Sequence, residues 1–187
     1  MLPAAALLAA VATAASPSPH GRRFPMAPPA AFTGGFGEPT CQQCHAGNAL
    51  NDPAGALELR GLPEEGYEPG HSYELTIVVR RPGMARGGFE AAARFAAGAD
   101  SAGQAGSWRA VDGRTATTPG SHAVYIHHTE LGSEPSPDSA SWTVEWTAPT
   151  SGAPVAFHVV ANAANGDESP FDDYVYAKGW VRAGGAK

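Results

Sequence analysis

Apolar and polar residues alternate in short runs along most of this chain. Tyr73, Leu75, Ile77 and Val79 alternate with Glu74, Thr76 and Val78. Trp142, Val144 and Trp146 alternate with Ser141, Thr143 and Glu145, and Phe157, Val159 and Ala161 with Ala156, His158 and Val160. Val124 and Ile126 alternate with Tyr125 and His127. A period of two places successive side chains on opposite faces of a strand, so each run predicts a half-buried strand. Residues 56–60, 88–96, 107–111 and 174–182 read as further strands. Turn signals separate them: Pro69-Gly70, Arg81-Pro82-Gly83, Pro119-Gly120, Ala148-Pro149 and Asn165-Gly166. The run 90–97 has helix propensity, but Gly87-Gly88-Phe89 precedes it and it is short, so strand is at least as good a reading. Seven to nine such strands predict an all-β, antiparallel β-sandwich with one core, in which Trp142 and Trp146 are core residues.

The first residues break this pattern. Residues 2–15 are apolar and end in small side chains, with Ala12-Thr13-Ala14 as a small-x-small site and Ser16-Pro17-Ser18-Pro19 after it. This predicts a signal peptide over 1–15 and a periplasmic or extracellular protein. No later run is long and apolar enough to predict a transmembrane segment in the mature chain. Residues 16–33 read as a flexible Pro/Ala-rich leader, and 34–182 as the sandwich domain.

Composition sharpens the class. Among 187 residues there are 23 Gly and 17 Pro, yet 43% are apolar and no Gly-X-Y period runs through them, which excludes collagen and full disorder. The net charge of -6 argues against nucleic acid as a partner and suits a basic redox partner instead.

The two cysteines stand three apart, in Cys41-Gln42-Gln43-Cys44-His45. This is C-x-x-C-H, the attachment pattern of c-type haem. Two thiols at that spacing can add to the two vinyl groups of one porphyrin, and the adjacent imidazole then lies under the iron. Three further readings stay open: a disulfide stapling the loop, a redox dithiol, and a zinc site that recruits a remote histidine.

A second axial ligand would come from His20, His71, His122, His127, His128, His158, Met26 or Met84. His128 is the first choice, because alternation puts it on the apolar face with Val124 and Ile126. His127, Met84 or an open iron position would take its place. Asn162, Asn165, Asp167, Asp172 and Asp173 offer oxygen ligands of the kind calcium takes. There is no G-x-S-x-G, H-E-x-x-H or P-loop.

Several segments resemble one family. They are Gly37-Glu38-Pro39-Thr40-Cys41-x-x-Cys44-His45, Tyr67-x-Pro69-Gly70-x-x-Tyr73, Gly87-Gly88-Phe89, Tyr125-Ile126-x-His128-Thr129, Trp142-x-x-x-Trp146 and Asn162-Ala163-Ala164-Asn165-Gly166-Asp167. Together they resemble the bacterial Reeler-like domains, also grouped as choice-of-anchor domains, over roughly 34–178. The resemblance implies an immunoglobulin-like sandwich outside the cytoplasm, and it too singles out His128. It also implies that members with C-x-x-C-H are single-haem cytochromes. The anchored members carry a C-terminal sorting or membrane tail that is not seen in this sequence, which favours a free periplasmic protein.

The expectation is therefore an exported electron carrier rather than an enzyme. One covalent haem c would be held by Cys41 and Cys44 and ligated by His45 and His128. The alternative is a non-enzymatic binding module whose C-x-x-C forms a disulfide.

Overall fold

The computed structural model describes residues 27–98, 101–134 and 136–185. The segment read as a signal peptide, the expected leader up to residue 26, and with them His20 and Met26, lie outside the described residues. Ten strands follow in chain order: β1 (Ala46–Gly47), β2 (Ala56–Arg60), β3 (Ser72–Arg80), β4 (Arg86–Phe95), β5 (Ser107–Ala110), β6 (Thr115–Pro119), β7 (Val124–His128), β8 (Ser139–Thr147), β9 (Val155–Ala164) and β10 (Phe171–Arg182). They form a six-stranded sheet, β1-β10-β9-β4-β7-β6, and a four-stranded sheet, β2-β3-β8-β5. Among the described residues these strands pair antiparallel except β1 with β10, and an isolated parallel bridge joins Tyr67 and Gly184. The protein is an all-β sandwich of two sheets, as the alternation predicts.

The inner faces supply the core. Leu75, Ile77 and Val79 of β3 and Trp142, Val144 and Trp146 of β8 face Phe89, Ala91 and Ala93 of β4 and Phe157, Val159 and Ala161 of β9. Trp146 meets Phe157 and Tyr67 edge to face, at 4.6 and 5.4 Å between ring centres, and Phe89 lies 4.8 Å from Trp142. The indole N–H groups of Trp142 and Trp146 stay satisfied, donating to the carbonyls of Gly132 and Ala105 at 2.8 and 3.0 Å.

The two sheets differ on their outer faces. Glu74, Thr143, Glu145 and Arg109 face outward on the four-stranded sheet, where Arg109 pairs with Glu145 at 2.6 Å. The outer face of the six-stranded sheet is instead roofed by the chain around residues 30–45. Ala30 and Ala31 pack on Ala92, Ala123 and Tyr125. Thr33 is wholly buried. Phe36 sits edge-on to His158, 5.0 Å between ring centres. A Cβ on Gly35 would fall 2.1 Å from the His158 ring, so only glycine lets the backbone lie this close. Beneath this roof Glu38 joins Arg94 and Tyr125 in a buried ionic network, and Thr33 Oγ1 donates to Glu38 Oε2 at 2.6 Å.

This roof explains the ambiguous run at 90–97. With both faces of β4 covered, its outward positions are Gly88, Glu90, Ala92 and Arg94, so the alternation is blurred. The pairing with β7 and β9 makes it a strand.

Candidate haem-attachment site

Local hydrogen bonding shapes the cysteine segment. Thr40 caps a single 3₁₀ turn over Cys41–Gln43, its Oγ1 accepting Gln42 N–H at 3.2 Å. The N–H groups of Cys44 and His45 both donate to Cys41 C=O, at 3.1 and 2.8 Å. The turn is then fastened to β10. Ala46 N–H donates to Pro170 C=O at 3.0 Å, Asn48 Nδ2 to Asp173 C=O at 3.1 Å, and Gln42 Nε2 to Asn48 C=O at 2.9 Å.

Both cysteines are free thiols, Cys41 half-buried and Cys44 exposed. Burial pushes the Cys41 thiol up to about 12, and the charge of Glu90 adds to the effect. Its resting state is therefore the neutral thiol, not a thiolate nucleophile.

His45 reaches back over the sheet. Its Nδ1 lies 2.6 Å from Asp173 Oδ2, with the Asp173 side chain buried. A carboxylate oxygen only accepts, so this contact is made by the tautomer with the proton on Nδ1, the one that leaves the Nε2 lone pair for a metal. Asn162 on β9 donates Nδ2 to the same Asp173 oxygen at 3.2 Å, and its Nδ2 lies 3.0 Å from His45 Nδ1. Asp173 Oδ1 accepts Asn165 N–H at 3.1 Å.

Asn162 pairs across the sheet with Val175 of β10 and Gly88 of β4. A Cβ on Gly88 would stand 2.6 Å from His128 Cε1, so the His128 imidazole lies where a side chain would otherwise be. Asp173, diagonal to Asn162, then Asn162, Gly88 and His128 thus form a row of contacts across β10, β9, β4 and β7, with His45 at the Asp173 end and His128 at the other.

His128 differs from its expected orientation. Alternation points it into the core beside Ile126. Instead its ring replaces the next rung of the ladder where β7 parts from β4: Phe89 N–H lies 2.9 Å and Phe89 C=O 3.1 Å from Nδ1. Burial holds its pKa below the ordinary histidine range, with nearby His127 and His45 adding to the effect and the bond to Phe89 opposing it.

The remaining histidines and Met84 stand apart from this row. His127 is buried under the roof, with Nδ1 on His128 C=O and Nε2 on Thr118 Oγ1, both at 2.8 Å, so neither nitrogen is free. Met84 lies in the core. His71 is exposed beside Glu68 and Tyr73. His158 is wedged between Gly35, Phe36 and Gly179. His122 lines a 480 Å³ cavity with Phe36, Arg94 and Ser101.

In the acidic loop, oxygens of Asn165, Asp167 and Asp173, named as calcium ligands, accept hydrogen bonds from the chain itself. Asn165 Oδ1 accepts Asp167 N–H, Asp167 Oδ1 accepts Ser169 N–H, and both Asp173 oxygens are engaged. Among the described residues no group of three or more His, Cys, Asp or Glu is placed to hold a metal ion.

Two features of the site carry no signal in the sequence. One is the pairing of His45 with Asp173, 128 residues away. The other is Glu90, wholly buried under the roof. Its Oε1 accepts Phe32 N–H at 2.8 Å and its Oε2 has no partner. Burial, aided by the charge of Glu38, pushes its carboxyl up to about 7.

No family model matches the chain, and no curated protein matches it in sequence. Among solved structures, the fold is similar to the Reelin-N domain of F-spondin, at 19% identity and a TM-score of 0.47, covering 78% of this chain and 96% of that one. It is similar to a human F-spondin reeler domain at 21% identity, TM-score 0.46, covering 71% and 93%. A cohesin module from a Clostridium perfringens ATCC13124 family 33 glycoside hydrolase gives 10% identity, TM-score 0.46, covering 71% and 96%. None of these three reaches 25% identity or a TM-score of 0.5, so no residue role is carried across from them. Among the described residues no helix is long and apolar enough to cross a membrane.

Proposed function

We propose that this protein is an exported, single-haem c-type electron carrier on a Reeler-like sandwich. The observation that carries the reading is His45: it follows Cys44 directly, and its Nδ1 is held by a buried carboxylate while Nε2 stays free to bind a metal. Cys41 and Cys44 would hold the group by thioethers, and both are free to do so. His45 would be one axial ligand and His128 the other. Nε2 of His128 is available only in the tautomer whose Nδ1 donates to Phe89 C=O at 3.1 Å, since accepting Phe89 N–H at 2.9 Å puts the ring proton on Nε2. When bound, the haem supplies a one-electron Fe(III)/Fe(II) couple. The chain contributes the tether, the ligands and the buried polar groups behind them, and the net charge of -6 favours encounter with a basic redox partner.

A second reading keeps the sandwich and drops the haem: an extracytoplasmic binding module with a Cys41–Cys44 disulfide. The 3₁₀ turn favours it, since the bond from Cys44 N–H to Cys41 C=O brings the two residues within the span a disulfide bridges.

A visible spectrum of protein exported with haem-maturation machinery separates the two. A Soret band and sharp reduced α and β bands that survive acid-acetone extraction are expected. Colourless protein without titratable thiols would establish the disulfide instead.

A further inference from the structure

We propose that Asp173, steadied by Asn162, is the positioning residue for His45: it holds the Nδ1 proton, aims Nε2 away from the sheet, and strengthens that nitrogen as an electron donor. This rests on the cytochrome reading. Three observations carry it. Asp173 is nearly inaccessible, and a carboxylate is kept there only when its oxygens are satisfied; His45, Asn162 Nδ2 and Asn165 N–H supply the partners. The Asn162 amide is turned so that Nδ2 faces Asp173, although this leaves its own buried Oδ1 without a partner. The β1–β10 ladder also shifts register between Ala46 and Gly47, next to His45, so the strand is irregular where the imidazole meets the carboxylate.

A metal-bound histidine whose second nitrogen donates to a carboxylate has a fixed tautomer and a more basic ligand nitrogen. The more basic nitrogen favours the ferric over the ferrous state and so lowers the potential. Asp173→Asn keeps the shape and removes the charge. Such outer partners are typically worth 10–100-fold in metal affinity. If the loss falls tenfold more heavily on the ferric state, the midpoint potential rises by about 59 mV for one electron.

The test has two parts. Protein made without haem is examined by ¹⁵N NMR, where wild-type His45 is expected as the Nδ1–H tautomer and the Asp173→Asn protein as a mixture. Haem-loaded wild-type and Asp173→Asn proteins are then compared for covalent haem, midpoint potential and iron–histidine stretching frequency. Retained covalent haem with a raised potential and a lowered stretch supports the proposal. Retained haem with both values unchanged overturns it. So does an Nε2–H tautomer in the unloaded wild type, which needs no variant to fold. Wild-type protein that takes up no haem overturns the cytochrome reading itself, while the NMR result still decides whether Asp173 orders His45.

Discussion

Glu90→Gln isolates what burial of one carboxyl costs this fold. Glu90 sits at the centre of β4 with no exposed surface, roofed by the segment carrying Phe32 and Glu38. Its folded-state value is raised from the ordinary 4.5 to about 7. The folded protein therefore binds this proton more tightly than the unfolded chain. The resulting stability is fully present below pH 4.5 and is lost as the pH rises through about 7. At ~1.36 kcal/mol per pH unit, ionisation across that interval costs about 3 kcal/mol. The substituted glutamine keeps an oxygen for Phe32 N–H and does not ionise. The stability difference, variant minus wild type, is thus expected to increase by about 3 kcal/mol between about pH 4.5 and 8, most of it before pH 7. Urea unfolding of both proteins, reduced and without haem, at half-unit intervals measures it, and titrations common to both cancel. A difference that stays flat across this range would refute the reasoning. It would mean that water reaches Glu90 Oε2 or that the roof opens to admit it.

Two further substitutions probe the row of residues across the outer face. Gly88→Ala drives a Cβ to 2.6 Å from His128 Cε1, so the ring must leave Phe89; the lost bond and overpacking together predict a loss of ~2 kcal/mol in urea unfolding. An unchanged midpoint would show that His128 moves freely. His128→Ala in the haem-loaded protein is expected to give a high-spin spectrum that binds carbon monoxide readily; an unchanged low-spin spectrum would assign the second ligand elsewhere.

The parts of this molecule that are legible from the sequence share one physical property. β3 and β8 have a buried inner face and a more open outer one, so their inward residues alternate visibly with the rest. β4 is ambiguous because Glu90, Ala92 and Arg94 are roofed as well. β6 escapes a pattern search because Thr-Ala-Thr-Thr-Pro is a polar edge strand that contributes little to the core. The C-x-x-C-H turn is local and can be read directly from its spacing. The Asp173 and Asn162 that complete it come from β10 and β9, 128 and 117 positions from His45, and no spacing rule reaches that far. Residue type and position single out His128. Its orientation is not legible, because alternation assumes a ladder that continues and β7 leaves β4 at that residue.

The measurement that bears most directly on the central claim is the mass of the exported protein and of its peptide containing Cys41 and Cys44, after production with haem-maturation machinery. Both are expected to carry the added mass of one haem after acid-acetone extraction, with neither thiol reacting with iodoacetamide. A peptide without haem, with its thiols alkylated or its mass two hydrogens light, would contradict the cytochrome reading.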